Sequence, residues 1–225
     1  MPLQLSFDGL PTHGGRREGA GRKPLVRARP PVAHRARARH ARWKPVHVTL
    51  RAHRRTPNLR EQLLAGAVED AIRLTRPEGF RVVHFSTQSD HLHALVEADS
   101  HEAFVRGMRS LSVRVAKRVN RTLRRPGLRG KVWGDRYHRH DLGTPREVRN
   151  ALVYVLANFK KHFAVRTGAP LLDACSSAVW FTGWVAHRKL PDGDPPVVPA
   201  RTKLLAELWQ EHGLVHPGER PAAAR

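Results

Sequence analysis

The chain has 225 residues, room for one domain of about 100–150 residues plus extensions. Lys and Arg number 41 against 19 Asp and Glu, a formal charge of +22, and such a surface attracts a polyanion, nucleic acid above all. The lone cysteine, Cys175, excludes an intrachain disulfide framework, and no apolar run reaches the ~20 residues of a membrane span, so a cytoplasmic protein without a membrane partner is expected.

Residues 1–42 read as a basic tail. "GGRREGAGRKPLVRARPPVAHRARARHAR" is rich in Gly, Pro, Ala and Arg and has no apolar period. It cannot bury enough surface to offset its ordering entropy, so disorder is expected. Order is expected from Trp43. "KPVHVTLRA", residues 44–52, alternates apolar and polar positions as a strand does. Pro57 and Asn58 then open a predicted helix with the stripe Leu59, Leu63, Ala67, Ala71 and Leu74. Strands are predicted over 80–88 and 90–98, and the short break between them implies a hairpin. Ser100 caps the next helix, whose apolar face is Phe104, Met108, Leu111, Val115 and Val119. Its other face carries Arg106, Arg109, Arg114, Lys117, Arg118 and Arg121, candidates for phosphate contacts.

Residues 131–143 form the predicted fourth strand. Thr144, Pro145 and Glu147 make a capping box for a third helix with the stripe Val148, Leu152, Val155 and Phe159. The division expected is a tail over 1–42, a catalytic domain over 43–165 and a C-terminal extension over 166–225. Strand, helix, strand, strand, helix, strand is the ferredoxin-like split order. The fold class is therefore α+β. An antiparallel sheet carries helices on one face and leaves the other for a site, and an extra helix follows.

"DHLHALVEA" raises the chemical question. Residues two apart on a strand share a face, so His91 and His93 project together, a start for a divalent metal site. "YHRH" repeats the spacing at His138 and His140. On the third helix Tyr154 and Asn158 are four apart and share a face.

Together, "QSDHLHALVEA" and the downstream "VYVLANFKKH" resemble the single-tyrosine HUH transposases, and within them the REP-associated tyrosine transposases. His91-Leu92-His93 matches the histidine–hydrophobic–histidine motif, and Tyr154 and Asn158 match the nucleophile and the amide that completes the metal site. The tail segment "GGRREGAGRKP" also resembles leaders of such proteins. Ser89-Asp90 stands where the family often has Pro-Asn. "YVLANF" departs from Tyr-Ile-x-Asn-Asn-Pro at Ala157 and Phe159.

The resemblance implies cleavage and rejoining of single-stranded DNA near hairpins through a 5′-phosphotyrosine. It implies Mg²⁺ or Mn²⁺ on His91, His93 and Asn158, and a nucleoid-associated protein; the sequence leaves monomer and homodimer both open. Mixed nitrogen and oxygen ligands suit those ions. Two other readings stay open. One is a non-catalytic nucleic-acid-binding module; the other is a zinc hydrolase using His91, His93 and either His138 or His140.

Overall fold

The sheet has the order β2-β3-β1-β4, with every neighbouring pair antiparallel. Its strands are β1 (Val46–Arg51), β2 (Phe80–Thr87), β3 (His91–Ala98) and β4 (His138–Asp141), and its helices are α1 (Gln62–Arg73), α2 (His101–Thr122) and α3 (Pro145–Ala157). The computed structural model describes residues 38–124, 130–157, 159, 172–186 and 189–220. Residues 39–225 cluster as one compact unit. The expected disordered tail over 1–37 lies outside the described residues, whereas residues 38–42 are already described. His40 is buried, bonds Ala98 O through Nε2 and stacks on Phe104, so order begins before Trp43.

Alternation along the strands sorts side chains onto two faces. Val46, Val48, Leu50, Leu92, Ala94 and Val96 meet α1 and α2 in one core. α2 approaches so closely that a Cβ on Gly107 would come within 2.0 Å of the Phe80 ring. Its start follows the expectation, with Ser100 Oγ accepting from Ala103 N at 3.0 Å. α1 starts later than predicted, and its buried face is Leu64, Ala67, Val68, Ala71 and Ile72. Leu63 and Leu74, placed in the stripe by the sequence reading, are exposed. The i, i+4 row from Leu64 through Val68 to Ile72 buries more branched surface than the row read from sequence.

The second face is not left open. Val83, Leu95 and Leu142 pack there against α3, and a β-bulge between Val82 and His84 turns Val83 towards this side. The predicted capping box forms: Thr144 N donates to Glu147 Oε2 at 3.0 Å and Glu147 N to Thr144 Oγ1 at 3.2 Å. α3 also buries Val153 and Leu156, because the C-terminal extension covers its outer side with Phe181, Trp184, Leu204, Leu205, Trp209 and Val215. β4 is shorter than predicted; Trp133 makes only an isolated bridge to Ala52 before the chain turns at Gly134.

The extension is tied down by charge. Glu97, fully buried on β3, accepts from Arg81 Nε, from the backbone N–H groups of Arg201 and Thr202, and from Thr202 Oγ1. Asp173 receives a bidentate Arg60 at 2.7 and 2.9 Å. The outer edge of β2 is bonded by later chain: Thr87 N donates to Cys175 O, and Val198 N to Val82 O. None of the described helices is long and apolar enough to cross a membrane.

Candidate active site

The face of the sheet under α3 is rich in histidine. Register puts Thr49 opposite His93 and Arg51 opposite His91, while His47 pairs with His140 and Thr49 with His138. Cross-strand partners share a face, so three strands present five imidazoles to one side. His93 is 2% exposed, and its ring meets that of His91 edge-on, with centroids 4.5 Å apart. α3 lays Tyr154 over the group. Its ring stands 5.0 Å from that of His93 and 5.5 Å from that of His47, edge to face in both cases.

Hydrogen bonds fix both motif histidines. His91 Nδ1 lies 2.6 Å from Asp90 Oδ1. That hydrogen bond holds the Asp90 carboxyl below its usual range, so the carboxylate only accepts and His91 Nδ1 carries the proton. That leaves Nε2 as the ligating atom of the ring, as in metal-ligating histidines oriented by a carboxylate. Ser89-Asp90, a departure from the family's usual pair, thus supplies its own orienting group. His93 Nδ1 lies 3.2 Å from His47 Nε2 and 3.1 Å from Thr49 Oγ1, which again turns Nε2 to the ligand side. Burial, and then the neighbouring His140 and His138, push His47 down to about 4, so it supports His93 as a neutral ring.

The two imidazoles therefore fit a divalent cation. Among the described residues, no cluster of three or more His, Cys, Asp or Glu is placed to hold a metal. His138 and His140 accordingly do not close a triad with His91 and His93, and the zinc-hydrolase reading loses its third ligand. Asn158, the expected amide ligand, lies outside the described residues.

Of the other predicted residues, the structure brings Tyr154 to the histidines and does not bring the cations of α2. Arg106, Arg109, Arg114, Lys117, Arg118 and Arg121 sit on the helix layer behind the opposite face of the sheet. Arg114, Lys117, Arg118 and Arg121 line a groove of about 230 Å³ beside Ala71 and Leu74, and Arg118 pairs with Asp70 at 3.4 Å. Tyr137, the other tyrosine, packs against Phe104 in the first core. His47 and Thr49 were not singled out from sequence. Their alternation in "VHVTLR" was the available signal, but it does not name the strand they pair with.

A family model described as "Transposase IS200 like" matches residues 44–158, a span that holds His47, His91, His93, Tyr154 and Asn158. Among solved structures, the chain is similar to "the REP associates tyrosine transposase bound to a REP hairpin". The identity is 18% and the TM-score 0.44, over 59% of this chain and 76% of the other. No curated protein matches the chain.

Proposed function

We propose, for a chain that belongs to the IS200-like transposase family, that Tyr154 cleaves and rejoins single-stranded DNA beside the His91/His93 pair. The observation that carries this is the packing of Tyr154 onto His93, which sets the one tyrosine of the second layer over the paired imidazoles. Tyr154 Oη attacks the scissile phosphorus, the P–O3′ bond breaks, and the 3′-oxygen leaves with a proton as a free hydroxyl. The 5′ end stays on Tyr154 as a phosphodiester. An aryloxide leaves readily, so a 3′-hydroxyl can reverse the step and rejoin strands without ATP. His91, His93 and Asn158 would hold Mg²⁺ or Mn²⁺, which when bound supplies Lewis-acid polarisation of the phosphate. Asp90, Thr49 and His47 keep the two rings turned correctly.

The charge of +22 supports a nucleic-acid substrate, the transposase family supports DNA, and the resemblance of the motifs to REP-associated tyrosine transposases supports a hairpin beside the cut. The α2 cations, one layer away, would take phosphates of a different stretch from the one being cut.

The test incubates purified protein with labelled, hairpin-flanked single strands and Mn²⁺, then runs a denaturing gel. A protein–DNA adduct is expected, absent in Tyr154→Phe and retained in Tyr137→Phe. Cleavage by Tyr154→Phe at the wild-type rate would overturn the assignment. Binding without any adduct would favour the non-catalytic module.

A further inference from the structure

Gln88 follows β2 directly, where its N–H donates to His91 O at 2.8 Å and closes the turn through Ser89 and Asp90. That bond sets Gln88 across from His91, just as Ser86 stands across from His93. Gln88 Nε2 donates to Ser86 Oγ at 2.7 Å, so the amide lies on the same face as Ser86, the histidine face. Cross-strand neighbours hold their Cβ atoms about 4.5–5.5 Å apart, so the Gln88 side chain starts beside His91 and leans towards Ser86, the partner of His93.

The amide is not fully satisfied. Gln88 is 1% exposed, and its Oε1 has no hydrogen-bond partner among the described residues. Leaving a buried acceptor in that state is costly, so its persistence asks for a partner. A divalent cation at the histidine pair would meet this amide oxygen, as would a water donating to it, and only the cation makes metal affinity depend on Gln88.

We propose that Gln88 Oε1 is an oxygen ligand of the divalent cation held by His91 and His93. This rests on the reading of the histidine pair as a cation site. An amide carbonyl is a hard donor suited to Mg²⁺ and Mn²⁺. Gln88 Nε2 is taken up by Ser86 Oγ, which leaves Oε1 as the amide atom to meet the ion. Three ligands would then come from one β-hairpin.

Mn²⁺ alone is the probe. The full chain is titrated with MnCl₂ while the free-ion electron paramagnetic resonance signal is followed. Wild type, Gln88→Leu, Gln88→Glu and His93→Ala are compared, each also melted without metal. Gln88→Leu should weaken Mn²⁺ binding about tenfold with an unchanged or higher melting temperature, since a buried unpaired oxygen is gone. Gln88→Glu should bind at least as tightly as wild type, and His93→Ala should lose binding. If Gln88→Leu binds like wild type while His93→Ala does not, Gln88 is no ligand and the histidine site stands. If His93→Ala also binds normally, the cation reading fails and takes Gln88 with it. A lower melting temperature in Gln88→Leu, with binding not restored by Gln88→Glu, would make Gln88 a packing residue and overturn the proposal.

Discussion

His84 shows what one half-buried imidazole costs the fold in acid. It lies on the α3 side of β2, edge-on to Phe181 with Nδ1 3.3 Å from Ser177 Oγ, and burial pushes it down to about 4. An unfolded histidine titrates near 6.5. Between those values the unfolded chain takes a proton that the folded chain refuses, so stability is complete above pH 6.5 and falls as pH drops towards 4. At pH 5 the loss from this one group is on the order of 2 kcal/mol. Urea midpoints at pH 7 and pH 5 should therefore diverge more for wild type than for His84→Leu; parallel shifts would show that His84 is not the sensor. At this scale the candidate site was half legible. A period of two put His91 and His93 on one face, and one-turn spacing joined Tyr154 to its neighbour position. His47, Thr49 and Gln88 stayed hidden because their roles depend on cross-strand register, which a strand's own residues do not state.

The elements were more legible than their neighbours in space. Both hairpin strands, the Ser100 cap and the Thr144–Glu147 box follow from local chemistry, and they stand where that chemistry puts them. The α1 stripe was read one row off, because a helix with apolar residues on more than one row leaves tertiary packing to choose between them. Periodicity also cannot say which face of a sheet a helix takes, and that decides what α2 can do. Its cations sit behind the sheet from Tyr154, so they are suited to grip DNA without touching the reaction. Replacing Arg114, Lys117 and Arg121 by Ala should flatten the dependence of log K on log salt by about 2 to 3, at ~0.7 per single-strand contact and ~0.9 per duplex contact. The rate of adduct formation at saturating DNA should hold. An unchanged salt slope would return this helix face to plain solvated surface.

For the whole molecule the decisive finding is that the C-terminal extension is structural. From composition it read as a mixed tail, since its order comes from α3 and not from any period of its own. Phe181, Trp184, Leu204, Leu205, Trp209 and Val215 are buried on the outer side of α3. Without them Val153 and Leu156 of α3 would turn an apolar face to water, in a fold whose net stability is marginal. A chain truncated before residue 172 should therefore fail to fold, judged by loss of near-ultraviolet circular dichroism and of a cooperative melt. A monomeric truncation that melts like the full chain would make the extension a mere appendage. The extension also decides where the sheet stops. Later residues occupy the rim of β2, and the opposite rim, β4, offers only His138, Arg139, His140 and Asp141, about 13 Å of backbone. A short, charged rim is poor ground for another chain to continue the ladder. Among the described residues the sheet thus leaves little free backbone on which a second copy or a partner could add a strand.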